Sequence, residues 1–113
     1  MRVATAVAER SEPSALETMA ARAKEASDFL KAFAHQSRLL ILCILGEGEK
    51  SVTELEQLLA LRQPTVSQQL ARLRADGLVN ARRDGKTIYY SLASDDVRVI
   101  IDALQRVFGD DHG

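Results

Sequence analysis

Residues 51–76 constrain the fold more than any other part of the chain, because they contain two short helix patterns with only a few residues between them. Ser51, followed by Glu54 three residues later, forms the capping-box pattern that begins a helix. One face of that helix is apolar and carries Leu55, Leu58 and Leu59. Residues 61–63 are predicted to form a turn, and Pro64 then occupies the first position of the next helix. Two short helices joined in this way are typical of a helix-turn-helix.

The second helix of this motif is predicted to cover residues 64–76 and to end at Gly77. Its inward stripe is apolar and consists of Val66, Leu70 and Leu73. The other face carries hydrogen-bonding side chains, namely Thr65, Ser67, Gln68, Gln69 and Arg72. In the major groove, glutamine pairs with adenine, arginine contacts guanine or phosphate, and hydroxyl groups reach phosphate or base edges. We therefore predict that this helix reads double-stranded DNA.

A β-hairpin is predicted directly after the motif. Beyond Leu78 the apolar pattern alternates, and the hairpin signal Asp84-Gly85 separates residues 79–83 from residues 86–92. Basic side chains surround the tip, where they can approach backbone phosphates, and they are Arg82, Arg83 and Lys86. A basic hairpin behind a helix-turn-helix is a wing.

The charge distribution agrees with this interpretation, although the formal net charge is only −1. Residues 62–86 contain six basic and two acidic side chains, a balance of +4, so the remainder of the chain carries −5. A basic region between acidic ends is typical of a protein that binds DNA through one surface. Mixed charge on a solvated surface would give the same counts, so the charge alone does not decide between the two interpretations.

Helix patterns also flank the motif. A first helix is predicted over residues 14–33, and a second helix, buried on nearly all sides, over residues 36–45. A last amphipathic helix begins after the cap residue Ser94. The predicted fold class is therefore mainly α with a small β-hairpin: a winged helix-turn-helix in the order four helices, two strands and a final helix.

Residues 13–109 are predicted to form one DNA-binding and dimerisation domain, between a disordered N-terminal tail at residues 1–12 and a C-terminal tail at residues 110–113. The apolar stripes of the first and last helices need a partner, which predicts a homodimer through these helices. No stretch approaches the roughly 20 apolar residues of a membrane span, and the lone cysteine allows no internal disulfide. We expect a cytoplasmic protein without membrane contact or cofactor.

Residues 31–92 resemble the ArsR family of winged-helix repressors. The resemblance rests on the segments KAFAHQSRLLIL, LRQPTVSQQLARLRADGLV and RRDGKTIYYSL. It implies a bacterial dimer that joins through its first and last helices and releases its DNA operator on sensing a chemical signal. It also implies that the DNA-reading positions are Gln63, Thr65, Ser67, Gln68 and Gln69.

The resemblance does not extend to the metal sites of the family. Metal-sensing relatives carry a Cys-x-Cys pair at the start of the third helix, where this chain has Ser51 and Thr53. Another branch binds zinc between its last helices, and the aligned residues supply too few ligands, being Ser94, Asp96, Val107 and Asp110. His35 is interpreted as a capping or packing residue and His112 as part of the tail. No metal site is predicted.

Cys43 is the candidate sensor thiol. The segment LLILCILGEGEKSVTELE most resembles the thiol-based branch, which answers sulfide, persulfide or oxidants through one cysteine on the second helix and another near the end of the last. Gly109 occupies the position of that partner cysteine. The alternative is a repressor that senses a metal ion or small molecule at another site, with Cys43 only a core residue.

Two other function classes were compared with this interpretation. An enzyme would need a base near Cys43, but His35 lies at a helix start about two turns away, and no Gly-rich loop is evident. The chain is therefore predicted not to be an enzyme. A winged helix that contacts only proteins stays open as an alternative, although it would not need Thr65, Gln68, Gln69 and Arg72 on one face.

Overall fold

The computed structural model describes residues 14–109, so the predicted tails at residues 1–12 and 110–113 lie outside the described range, as does Pro13. The chain divides into two compact units after Lys31. The helices are α1 (Ala15–Ala21), α2 (Ala23–Lys31), α3 (Gln36–Leu45), α4 (Val52–Leu59), α5 (Gln63–Ala75) and α6 (Asp95–Leu104). The strands are β1 (Lys50–Ser51), β2 (Val79–Asp84) and β3 (Thr87–Leu92).

The first unit contains α1 and α2, where the sequence predicts a single helix over residues 14–33. That prediction is wrong, because the chain leaves helical geometry at Arg22, with φ −112° and ψ 13°, and α2 ends at Lys31. The N–H of Arg22 is shared between the carbonyls of Thr18 and Met19. Neither glycine nor proline marks this break, and the apolar spacing continues across it, so the pattern carries no signal for it.

The predicted second helix is confirmed as α3. His35 caps it, because its Nδ1 accepts a hydrogen bond from the N–H of Ser37 at 3.2 Å, which confirms the capping interpretation. The inward side chains Ile41, Leu42 and Leu45 are buried. The prediction that this helix is buried on nearly all sides is wrong, since Leu40 is 45% exposed. A helix that packs in a two-layer domain buries one face and leaves the other to solvent.

The core of the second unit lies between α3, α4, α5, the base of the hairpin and α6. Its most completely buried large side chains are Ile41, Leu42, Leu45, Leu55, Val66, Leu70, Leu73, Leu78, Val79, Val97 and Ile101. Of the three leucines predicted to form the apolar face of α4, Leu55 is buried and Leu59 is half-buried. Leu58 is 59% exposed and does not belong to the core.

The sheet is antiparallel, with strand order β1-β3-β2. The predicted hairpin is confirmed, but Asp84 belongs to β2, so the two-residue loop is Gly85-Lys86. Gly85 has φ +65°, a left-handed conformation that favours glycine at this turn position. Strand β1 was not predicted, because two residues are too few to display alternation.

Ser94 caps the start of helix α6, because its Oγ accepts a hydrogen bond from the N–H of Val97 at 3.4 Å. A π-helical turn, Gln105–Gly109, continues it and carries Phe108, which is 80% exposed. Arg98 of α6 donates to the carbonyl of Gly46 at 2.7 Å, just beyond the end of α3. Within residues 14–109, no helix has the length and apolarity that crossing a membrane requires.

Candidate DNA-binding surface

A tight turn joins α4 to α5. The predicted capping box forms at the start of α4, where Ser51 Oγ accepts from the N–H of Glu54 at 3.1 Å and Glu54 Oε1 accepts from the N–H of Ser51 at 2.8 Å. Ala60 ends α4 in the left-handed conformation, with φ 55°. Helix α5 begins at Gln63 rather than Pro64, which becomes its second residue, where the missing N–H has no intrahelical partner to lose.

Helix α5 is anchored by the three apolar side chains that the sequence predicts. Val66, Leu70 and Leu73 are fully buried. Asp76, predicted as the last helical residue, instead caps the C-terminus, and Gly77 follows with φ +77°. The orientation of the remaining side chains of α5 is therefore fixed by a close-packed core.

The polar side chains of α5 form a continuous surface. Gln63, Thr65, Gln68 and Arg72 are exposed, and Ser67 and Gln69 are half-buried. Gln63 Nε2 donates to Ser67 Oγ at 2.8 Å, and Arg72 forms an exposed ion pair with Asp76 at 3.2 Å. The Gln68 amide has no hydrogen-bond partner among residues 14–109, which leaves both its oxygen and its NH₂ group for a ligand.

Arg38 of α3 contacts this surface, although the sequence analysis did not identify it. Its Nη1 donates to Oε1 of Gln69 at 3.3 Å, and its Nε donates to the carbonyl oxygen of Ala32 at 3.0 Å. The available signal was compositional, because Arg38 is the only charged residue within α3. Gln69 therefore lies at the edge of the outward face and is held there by a cation.

The neighbouring arginines of β2 have different surroundings. Successive side chains of a strand point to opposite faces, so Arg82 and Arg83 diverge. Arg82 lies opposite Tyr89 in the hairpin register, and Arg83 lies opposite Ile88. Arg83 and the loop residue Lys86 are exposed and form no ion pair with another residue of the range 14–109.

Arg82, which the sequence predicts to approach backbone phosphates, forms contacts within the protein itself. Its guanidinium donates two hydrogen bonds to Glu49, both at 2.7 Å, and lies 4.7 Å from the centre of the Tyr89 ring. These hydrogen bonds hold the pKa of the Glu49 carboxyl below its usual value and raise the pKa of Arg82. Neither Glu49 nor Tyr89 was identified from the sequence, because Glu49 is 33 positions from Arg82 and Tyr89 lies opposite it only through the register of the hairpin.

Cys43 lies on α3 and is half-buried. Burial and, to a lesser extent, the nearby negative charge of Glu47 raise the pKa of its thiol above the usual value. Gly109 is exposed at the end of the π-helical turn, and a Cβ placed there would meet only Gln105, at 3.6 Å or more. The Cβ of a cysteine would therefore make only ordinary van der Waals contacts at that position.

The positions aligned with metal sites show no ligand cluster in the described part of the chain. Residues 14–109 contain no group of three or more His, Cys, Asp or Glu side chains that could hold a metal ion. Ser94 serves as the cap of α6, and His35 as the cap of α3. Asp110 and His112 lie outside the described residues.

The sequence pattern of bacterial regulatory proteins of the arsR family matches residues 35–81, from the cap of α3 into β2. The biofilm growth-associated repressor of Agrobacterium fabrum is 48% identical over 93 residues, which cover 82% of this chain and 80% of that protein. The chain is therefore similar to a repressor over most of both lengths.

Solved structures have the same fold. The transcriptional repressor BigR from Xylella fastidiosa superposes with a TM-score of 0.81 at 42% identity, covering 87% of this chain and 100% of that one. The homodimeric winged helix-turn-helix DNA-binding domain of Mb0332 from Mycobacterium bovis superposes with a TM-score of 0.69 at 33% identity. The match covers 87% of this chain and 89% of that one. The predicted winged helix fold is confirmed.

Proposed function

We propose a function from one established premise: the chain belongs to the arsR family of bacterial regulatory proteins. As a member of that family it is a DNA-binding transcriptional regulator and not an enzyme. The proposal is more specific, namely a homodimeric repressor that binds a palindromic operator in the bacterial cytoplasm, where the chromosome lies. Two similar proteins that are named repressors support the direction of regulation.

The polar surface of α5 is the observation that carries the proposal. Three fully buried side chains fix the helix from below, while Thr65, Gln68 and Arg72 face solvent above. Donors and acceptors presented on a rigid helix are what readout of base edges in the major groove requires. Arg83 and Lys86 of the hairpin supply positive charge for backbone phosphates.

Exposed apolar side chains at both ends of the described chain support a dimer. The large ones are Leu16, Met19 and Leu30 in the first unit and Val99, Val107 and Phe108 in the second, each at least half exposed. Large apolar patches on a protein surface mark interaction sites, and a shared interface would remove these side chains from water. A second copy of the chain that covers them through its first and last helices agrees with the homodimeric state of the similar domain of Mb0332.

Binding to the promoter DNA of the chain's own operon tests the proposal. A dimer with two identical recognition helices protects a palindrome whose half-sites are about one or two helical turns apart. The measurement is a gel shift followed by footprinting, with a scrambled duplex of equal length as control. Equal affinity for promoter and scrambled DNA would contradict the proposal.

Sedimentation tests the dimer separately from DNA binding. Phe108→Asp should convert the dimer to monomer at micromolar concentration, since it places a charge in the proposed interface. Leu58→Asp is the matched control, because Leu58 is similarly apolar and exposed but lies on α4, outside the terminal helices. A wild-type monomer, or a dimer that Phe108→Asp leaves unchanged, would contradict the helix-mediated interface.

Cys43 is proposed as a weak thiol sensor for sulfide, persulfide or oxidants. The raised pKa leaves little of the reactive thiolate at neutral pH. Gly109 in place of a partner cysteine prevents an intramolecular link, so a modified Cys43 biases the conformational equilibrium less than a tethered one. We expect persulfide treatment to change operator affinity by less than about tenfold, roughly 1.4 kcal/mol.

Operator affinity with and without a persulfide donor tests this part of the proposal. Gly109→Cys should strengthen the response, and Cys43→Ser should abolish whatever response exists. A large loss of binding by the unmodified sequence that Cys43→Ser abolishes would show that one cysteine suffices and would overturn the proposal of a weak sensor.

A further inference from the structure

Two glutamines on the recognition surface differ in what surrounds their amide groups. Gln68 is exposed and has no hydrogen-bond partner among residues 14–109. Gln69 is half-buried, and its Oε1 accepts a hydrogen bond from Nη1 of Arg38 at 3.3 Å. The same guanidinium is fixed at its Nε by the backbone carbonyl of Ala32, at 3.0 Å. Arg38 is therefore held at two points and presents a fixed donor to Gln69.

The chemistry of arginine determines which end of the Gln69 amide faces the groove. A guanidinium has donors and no acceptor, so only the oxygen of the amide can face it. The NH₂ end of the amide consequently points away from Arg38. Bidentate recognition of adenine needs both ends, because the amide oxygen accepts from N6 while the NH₂ group donates to N7. Arg38 turns that oxygen toward itself, which leaves the NH₂ group as the end that meets the base.

We propose that Arg38 makes Gln69 a donor-only reader, so that the base opposite Gln69 in the operator presents an acceptor and is not cytosine. Guanine offers N7 and O6, thymine O4 and adenine N7, whereas cytosine presents only its N4 donor in the major groove. Gln68, whose amide can turn either way, keeps the ability to pair with adenine. This inference rests on the proposed function, and Arg38 acts in it as a positioning residue that does not touch DNA itself.

Competition binding with a set of operators tests the inference. The position read by Gln69 is first located as the base pair at which Gln69→Ala loses discrimination, and all four bases are then compared there. The wild-type chain should prefer guanine, thymine or adenine over cytosine by about tenfold. Arg38→Met, which keeps the apolar stem and removes the donors, should abolish most of that preference by releasing the amide oxygen to accept from N4 of cytosine.

Two controls distinguish the positioning of Gln69 by Arg38 from the effect of losing a positive charge and from a merely structural role of Arg38. Arg83→Met removes one exposed cation and should weaken binding to all four operators alike. In the Gln69→Ala background, Arg38→Met should leave the base preference unchanged, because a merely structural role of Arg38 would act in both backgrounds. If Arg38→Met does not fold, the base preference of the wild-type chain decides by itself.

The outcomes that would overturn the inference are distinct from failure of the proposed function. A wild-type preference for cytosine at this position, or a Gln69→Ala chain that discriminates as well as wild type at every position, would overturn the role of Gln69 while leaving operator binding intact. A chain that binds no operator would overturn the proposed function, and the inference with it.

Discussion

Helix α5, the proposed recognition helix, and the wing formed by β2 and β3 both carry polar side chains, but different kinds of contact hold them in place. Helix α5 has three fully buried apolar side chains beneath its polar face, whereas only Val79, at the base of β2, is buried among the twelve residues of the two hairpin strands. The wing is instead braced by Arg82, which joins Glu49 and the Tyr89 ring. Packing therefore fixes the helix, and polar contacts at the surface fix the wing.

The difference indicates how specificity and affinity are divided. A base edge must be met to within a fraction of an ångström, which a close-packed helix allows. Attraction to phosphate tolerates looser geometry, because it depends on charge and weakens with salt. We therefore expect α5 to discriminate between sequences, and Arg83 and Lys86 to supply general attraction to DNA.

Truncating an anchor of α5 should have the largest effect. Leu70→Ala removes a fully buried side chain and is expected to lower the free energy of unfolding by about 2–5 kcal/mol. The matched change in the wing, Ile88→Ala, removes a half-buried side chain and should cost about 1 kcal/mol or less. Chemical denaturation of both variants measures the two losses of unfolding free energy. Equal losses would contradict the claim that core packing supports α5 more than it supports the wing.

Removing single cations should sharpen the assignment within the wing. Arg83→Ala should lower the slope of log K against log salt by about 0.9, the value for one phosphate contact. Arg82→Ala should change the slope much less, since the charge of Arg82 is already matched by Glu49. Titrations at several salt concentrations provide the slopes. If Arg82→Ala had the larger effect, the internal pairing of Arg82 would not persist on DNA.

Glu49→Gln should produce a change of opposite sign. The substitution releases Arg82 from its ion pair and leaves an additional free cation at the wing. Affinity for DNA of any sequence should rise, and the salt slope should steepen by up to about 0.9. Glu56→Gln, the same substitution at another position of the second unit, is the control for the loss of one negative charge. Equal effects of the two variants would mean that net charge alone is responsible.

The smallest effect concerns pH. Hydrogen bonds from Arg82 hold the pKa of the Glu49 carboxyl below its usual value in the folded protein. The brace therefore contributes to stability above the unfolded-state pKa of Glu49 and is lost as the pH falls through the lower, folded value. An NMR titration of the Glu49 carboxyl should show a lowered pKa that returns to the usual value in Arg82→Ala. No difference between the two titrations would contradict the pairing.

The sequence predicted the parts of the fold that depend on local signals. The capping box of Ser51, the extent of α3 and the inward stripe of α5 all appear in the structure, because caps and helical periodicity are properties of adjacent residues. The break at Arg22 and the two-residue strand β1 were missed. In neither case does the composition of the segment differ from that of its surroundings.

The side-chain pairing at the site could not be predicted in the same way. Arg82 and Glu49 are 33 positions apart, and Arg38 and Gln69 are 31 positions apart. Such contacts depend on how helices and strands pack, which residue type and spacing do not specify. From residue type alone, Arg82 and Arg83 are equivalent cations. They acquire different neighbours only because side chains alternate along β2 and because β1 lies where it does in the sheet.

The division of labour between α5 and the wing is measured by specificity ratios. The ratio of dissociation constants for scrambled and operator DNA, measured at one salt concentration, is compared for the wild type, Gln68→Ala and Arg83→Ala. The account predicts that Gln68→Ala lowers the ratio by about 5- to 150-fold, equivalent to roughly 1–3 kcal/mol, and leaves binding to scrambled DNA unchanged. Arg83→Ala should weaken binding to both DNAs equally and keep the ratio. A ratio that falls with Arg83→Ala and not with Gln68→Ala would contradict the assignment of sequence readout to α5.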